Sequence, residues 1–168
     1  MKNRKIRGAR RIADRIIREI EANTTEFPET DFFENDCWHL EIPGPQKYLR
    51  SERTPKKEKR RCLQSMIDRA EYLIQQRPEQ KESFKIMVVL DIGDLWSSQI
   101  IVGTRDADFD RFIYPINPNL RRIKQPDYNK LNREWGLTIP DHWSLTGFRE
   151  FIREKNEQLE GEIWFIAQ

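Results

Sequence analysis

Residues 84–92, Phe-Lys-Ile-Met-Val-Val-Leu-Asp-Ile, constrain this chain more than any other stretch. They form an almost unbroken β-branched and apolar run, too short for a helix of ordinary length and too apolar on both alternating faces for a half-exposed strand. Such a run reads as a central strand buried on both sides. A strand of that kind needs neighbours on both edges and a layer over its faces. Gly93-Asp94 follows as a turn, and Ser98–Thr104 reads as the next strand. The short connection makes the two pair antiparallel. Cys37–Ile42 alternates enough for a further short strand, stopped by Pro43-Gly44-Pro45, and residues 162–167 read as a last one.

The covering layer comes from amphipathic helices. Ile6, Ala9, Ala13, Ile16, Ile17 and Ile20 fall at three- and four-residue spacing over 5–22, and Asn23, Thr24 and Thr25 end that helix. A second helix starts at Thr54-Pro55, with Thr54 as N-cap and Pro55 at the first helical position. It carries Leu63, Met66, Ile67, Ala70, Leu73 and Ile74 inward. A third is expected over 145–158, with Leu145, Phe148, Phe151, Ile152 and Leu159 facing in. Residues 106–113 suggest a short helix, and 114–143 an irregular packed stretch with one helical turn near Tyr128–Trp135. The order lacks regular βαβ alternation, so the expected class is α+β: a mainly antiparallel sheet with strands near 37–42, 84–92, 98–104 and 162–167, packed by three helices. At 168 residues one domain is expected over 1–168, with 1–22 as a basic helix and 23–36 as an acidic loop. Eighteen aromatic residues supply core area that the aliphatics do not. Without a membrane-length apolar run or a signal-like start, the expected location is cytoplasmic.

Charge is laid out in blocks. Residues 1–20 hold eight bases against two acids, 21–36 hold six acids and no base, and 47–61 again hold eight bases against two acids. The total of +2 conceals these fields. The second helix opens with Lys56, Lys57, Lys59, Arg60 and Arg61, at the end where the backbone dipole is positive. Each exposed, unpaired base there costs about 0.3–1 kcal/mol. Either the acidic loop 26–36 folds back to neutralise them, or they await an anionic partner. The residues expected to bind a partner are Arg11, Arg15, Arg18, Lys56, Lys57, Lys59, Arg60 and Arg61.

Templates for catalysis and metal binding fit poorly. Seven glycines include no phosphate-loop spacing. Asp106, Asp108 and Asp110 imitate the start of a calcium loop, but Arg111 stands where glycine is needed and Asn117 where a bidentate Glu is needed. Cys37 and His39 lie two apart, as a thiol–imidazole pair could, although a packed cysteine and a surface histidine explain them as well. Asp141-His142 could supply a base, but adjacent side chains seldom face one another. Asp91 and Asp94 flank the turn after the long strand, where metal-ligating carboxylates sit in some hydrolases and where turns also favour Asp. Two cysteines 25 positions apart make neither a disulfide framework nor a four-ligand zinc site, and both are expected reduced. No cofactor is expected.

Six phrases carry a family resemblance: Trp38-His39-Leu40 leading to Pro43; Cys62 through Arg69-Ala70-Glu71; Leu95-Trp96-Ser97-Ser98-Gln99-Ile100-Ile101-Val102; Glu134-Trp135-Gly136-Leu137; Thr146-Gly147-Phe148-Arg149-Glu150; and Glu160-Gly161-Glu162-Ile163-Trp164-Phe165-Ile166. Over roughly residues 25–168 the chain resembles the "domain of unknown function 3916" family of Bacillus-like bacteria. That resemblance implies a soluble single-domain bacterial protein without an established activity or site. The charge blocks favour a small interaction protein that neutralises or modulates an acidic protein partner, of the immunity-protein or inhibitor type. A nucleic-acid binder using 1–20 and 47–61 is the alternative. Only Tyr48 interleaves with those bases, which disfavours single-strand stacking. An enzyme with a site near Asp91 and Asp94 is the third reading.

Overall fold

A computed structural model describes residues 7–29, 37–42, 54–81, 83–91, 95, 98–104, 135–151 and 160–167, the stretches 144–151 and 160–167 by their backbone alone. The described elements are helices α1 (Ala9–Asn23) and α2 (Lys56–Gln75) and strands β1 (Cys37–Glu41), β2 (Lys85–Asp91), β3 (Gln99–Gly103), β4 (Ser144–Phe151) and β5 (Glu160–Ala167). The strands form one sheet in the order β1-β3-β2-β5-β4, with every neighbouring pair antiparallel. The mixed helix-and-sheet class holds, and all four strands expected from the sequence are present.

The apolar run supplies the middle strand of the sheet, β2. Residues Ile86 to Asp91 are all buried. Alternate residues of a strand point to opposite faces. Ile86, Val88 and Leu90, with Ile100 and Val102 of β3, join the helix-covered core around Leu63, Met66, Ile67, Ala70 and Leu73. Met87, Val89 and Ile101 are buried on the other face. β2 pairs with β3 through Val88↔Ile100 and with β5 through Val88↔Phe165, so both its edges are closed by hydrogen bonding.

Two expectations about local structure are corrected. The first is the third helix. Residues 144–151 form β4, paired with β5 through Phe148↔Ile163 and Phe151↔Glu160, with an irregularity between Leu145 and Gly147. The spacing of Leu145, Phe148 and Phe151 suits one helical stripe, but Thr146, Gly147, Phe148 and Phe151 are weak helix formers. An open edge on β5 offers eight residues a hydrogen-bond ladder, and that non-local pairing outweighs a short periodic signal. There are thus two described α-helices rather than three. The second correction is the start of α2. Its first backbone bonds run from the Glu58 and Lys59 amides to the Pro55 carbonyl, at 2.9 and 3.1 Å. Pro55 is therefore the N-cap, no side chain caps the helix, and Thr54 lies one position outside. The first helix begins at Ala9 after Gly8, whose φ of 80° is a left-handed conformation open to glycine. The helix expected at 106–113, the stretch 114–134, most of the acidic loop, and Asp94 lie outside the described residues.

The two helices run in the same direction. Asp14 meets Arg61, and ten residues further along α1 Thr24 meets Arg69. At 1.5 Å per residue these steps are about 15 Å on one helix and about 12 Å on the other, as near-parallel axes require. Their C-terminal ends are locked by Arg69. Its Nε donates to the Thr24 hydroxyl at 2.9 Å and its Nη2 to the Thr24 carbonyl at 2.6 Å. The guanidinium thus supplies, from a neighbouring helix, a cap that α1 needs for its last carbonyls. Arg69 also stacks on Tyr72, 4.1 Å from the ring centre. On its other flank α2 is gripped by the segment 135–143. Gln64 exchanges two hydrogen bonds with the backbone of Thr138, at 2.9 and 3.2 Å, and Glu71 accepts from the Trp143 indole at 3.0 Å.

Two outcomes follow from this packing. Ile101→Ala, at a position with no exposed surface, is expected to lower unfolding free energy by about 2–5 kcal/mol in a urea titration. Burial pushes the Cys62 thiol up to about 12. The unfolded thiol ionises near 8.5, so the contribution of the neutral thiol is complete below that pH and is lost as pH rises toward about 12. Native protein should therefore leave Cys62 unlabelled by a thiol reagent at neutral pH, and Cys62→Ala should flatten the loss of stability between about pH 9 and 12.

Candidate functional site

Parallel helices bring their first turns to the same end of the molecule, and both first turns are basic. α1 has no acid in its first turn. Arg7, Arg10 and Arg11 are exposed there, and Lys56, Lys57 and Arg60 are exposed at the start of α2. The blocks 1–20 and 47–61, separated in sequence by an acidic stretch, thus meet in space through their helical portions.

The eight expected partner-binding residues divide into three groups. Arg11, Arg15 and Arg18 are exposed along α1, with Arg15 Nε 3.6 Å from Glu19 in an i,i+4 pair. Lys57 and Arg60 are exposed on α2, and Lys56 Nζ lies 4.7 Å over the Trp135 ring. Lys59 is buried, and Arg61 is held internally. Among the described residues, no carboxylate pairs with Arg7, Arg10, Arg11, Arg18, Lys57 or Arg60.

Arg61 forms the knot beneath this surface. Its Nη1 donates to Glu58 at 2.7 Å and its Nη2 to Asp14 at 2.5 Å, so one guanidinium ties the first turn of α2 to the middle of α1. The Asp14 carboxyl is held below its ordinary range, first by the hydrogen bond from Arg61 and further by the charges of Arg61, Arg10 and Arg18. Arg61 is correspondingly raised. Among the described residues, the carboxylates that compensate the basic first turn of α2 are Asp14 and Glu58. Asp14 is the residue that sequence reasoning missed: it stands in a basic block, and only its place opposite Arg61 gives it a role. Gly136 adds a second constraint. With φ of 61° and the Arg60 Nη1 atom 2.9 Å from where a Cβ would stand, it lets the Arg60 side chain lie across the backbone.

The other sequence candidates are placed as follows. Cys37 is buried on β1 and His39, two residues on, is exposed. Asp91 is buried at the end of β2, and its amide donates to the Ser98 hydroxyl at 2.9 Å, which closes the turn toward β3. His142 Nε2 lies 3.2 Å from Glu71, so its nearest carboxylate is on α2 rather than the adjacent Asp141. Among the described residues no three His, Cys, Asp or Glu side chains are grouped to hold a metal ion, and no helix is long and apolar enough to cross a membrane.

The lowered Asp14 carboxyl sets an acid limit. A carboxylate whose folded value lies below its unfolded one contributes stability that is present above about pH 3.9 and is lost as pH falls through the folded value. Acid titration of the fold should show this loss below about pH 4, and Asp14→Asn should remove that component while lowering stability at neutral pH.

Neither a curated protein nor a solved structure matches the chain. A sequence-family match covers residues 17–168, under the description "Protein of unknown function (DUF3916)". It begins within α1, so Arg18, Lys57 and Arg60 lie inside it while Arg7, Arg10, Arg11 and Arg15 precede it. By a match spanning most of its length, this chain belongs to the DUF3916 family.

Proposed function

We propose that this chain is a protein-interaction module that neutralises or modulates a partner, as immunity proteins and protein inhibitors do, by presenting the basic end of its helix pair to an acidic protein surface. The observation that carries the reading is the parallel course of α1 and α2, which sets Arg7, Arg10, Arg11, Lys57 and Arg60 around two helix N-termini. The positive ends of two backbone dipoles and the side-chain charges then add rather than cancel. Such a surface raises the encounter rate with an anionic partner and rejects a cationic one. The arrangement works against the stability of the isolated helices, so a contact that relieves it gains from every cation it covers.

Charge reversal tests the reading, and Lys57 and Arg60 are the positions to change because Lys56 and Arg61 also hold the fold. Lys57→Glu with Arg60→Glu should leave the protein folded, with a gain in helix stability of about 0.3–1 kcal/mol from Lys57→Glu, the position in the first turn. Binding to polyglutamate, a stand-in for an acidic protein surface, should weaken at least tenfold. The loss should lie mainly in association rate and shrink as salt reduces the Debye length below about 8 Å. Unchanged polyglutamate binding would sink the proposal. Preference for duplex DNA over polyglutamate at about 0.15 M salt, with a steep salt slope, would put nucleic-acid binding in its place.

A further inference from the structure

The segment 135–143 follows α2 along most of its length. Trp135 lies under Lys56, whose Nζ stands 4.7 Å from the ring centre. Gly136 leaves open the space that the Arg60 side chain fills, with Nη1 2.9 Å and Cδ 3.3 Å from where a Cβ would stand. The Thr138 amide donates to Gln64 at 2.9 Å, and Gln64 donates back to the Thr138 carbonyl at 3.2 Å. Lys56, Arg60 and Gln64 follow at four-residue spacing, so they share one face of the helix. Residues 135–138 run beside that face, and the buried side chains of Leu137 and Trp143 pin the segment to the core.

These contacts sort the exposed cations by how they are held. Lys56 and Arg60 rest on the segment, whereas among the described residues no hydrogen bond or ring holds Arg7, Arg10, Arg11 or Lys57. A cation on an unheld side chain attracts an anion from a distance but gives up rotamer freedom on closing the contact. One already in place gives up less. We infer that Trp135 and Gly136 are positioning residues: they hold the Lys56 ammonium and the Arg60 guanidinium ready for carboxylates of an acidic protein partner. The held cations then set how long a contact lasts, and the unheld ones how fast it forms. This inference rests on the basic end being a docking surface, and it names the part of that surface where affinity is concentrated. A guanidinium kept in one plane presents paired N–H donors to a carboxylate. Trp135, partly buried, adds the kind of aromatic face that carries binding energy at interface centres.

The test keeps net charge constant. Trp135→Leu retains an apolar contact with the core and removes the ring face. Gly136→Asn introduces a residue that tolerates the left-handed φ of 61° and puts a Cβ where Arg60 lies. Binding of the full chain to a short glutamate peptide is measured as association and dissociation rates over a salt series, with circular dichroism confirming that each variant is folded. Each substitution should raise the dissociation rate about two- to fivefold, the worth of one exposed cation–π contact. Association rate and salt slope should not change, because no charge is added or removed. Trp135→Phe, which keeps a π face, should recover most of what Trp135→Leu loses. A merely structural role does not split the rates this way, since partial unfolding lowers the active fraction and leaves the rates of folded molecules alone. Should Trp135→Leu fail to fold, Gly136→Asn decides. Wild-type dissociation rates in the folded variants, or a Trp135→Phe protein no better than Trp135→Leu, overturn the positioning role. If Lys57→Glu with Arg60→Glu still weakens binding in that case, the docking surface stands without it. If charge reversal also changes nothing, both proposals fall.

Discussion

Everything in this fold answers to the burial of β2. Six consecutive residues, Ile86 to Asp91, lose their contact with water. A strand with both faces buried must have its backbone amides and carbonyls paired on both edges, because an unpaired buried peptide group forfeits a hydrogen bond to water. β3 and β5 supply those partners, and β1 and β4 extend the sheet beyond them. The helix-side residues of β2 then demand an apolar layer, which α2 provides with Leu63, Met66, Ile67, Ala70 and Leu73, and α1 with Ile16 and Ile20. The place of each element is a consequence of keeping one strand dry.

With the sheet occupied by apolar contacts, polar side chains decide how the helices lie against each other. Arg61 grips Asp14 and Glu58 near one end, and Arg69 grips Thr24 at the other. These two arginines come from the same helix, eight residues apart, and both reach the same neighbour. They fix a parallel arrangement in which the backbone dipoles reinforce each other. The charged end is therefore a by-product of the clamp: the fold needs Arg61 where it is, and the cations around it inherit a shared surface. Two roles divide one cluster of bases. Arg61 and the buried Lys59 belong to the structure, whereas Lys57 and Arg60 face outward.

The places where the sequence misleads share a physical cause. Residues 145–158 carry apolar side chains at helical spacing, yet 144–151 form a strand, because a partner edge on β5 was available and its own residues resist helix formation. No local window contains β5. Thr54 has the chemistry of an N-cap, but Pro55 takes that position through its carbonyl, and the difference of one residue is set by backbone angles that composition does not encode. The acidic loop 26–36, one counterweight the sequence offers to the basic first turn of α2, lies mostly outside the described residues. Among the described residues the carboxylates against that turn, Asp14 and Glu58, come from within basic blocks. Net charge per segment describes the long-range field well and the individual pairs poorly.

By itself the sequence determined what depends on neighbours within a few residues. The apolar run at 84–92, the stripes at Ala13, Ile16 and Ile20 and at Leu63, Met66, Ile67, Ala70 and Leu73, and the breaks at Asn23–Thr25 each follow from residue types over a short span. Side-chain periodicity is a local property, so these elements, their class and their buried faces were legible. Family membership was also legible in the short phrases spread along the chain. Tertiary structure alone decided the strand order, the conversion of 144–151 to an edge strand, the parallel course of α1 and α2, and the sorting of the basic residues into those that brace the fold and those that face solvent. Each of these depends on which groups meet in the folded chain, whether 9 residues apart, as Phe151 and Glu160 are, or 47, as Asp14 and Arg61 are. The physical reason is that hydrogen-bond ladders and guanidinium–carboxylate pairs act at about 3 Å, a distance set by the folded path and not by position along the sequence.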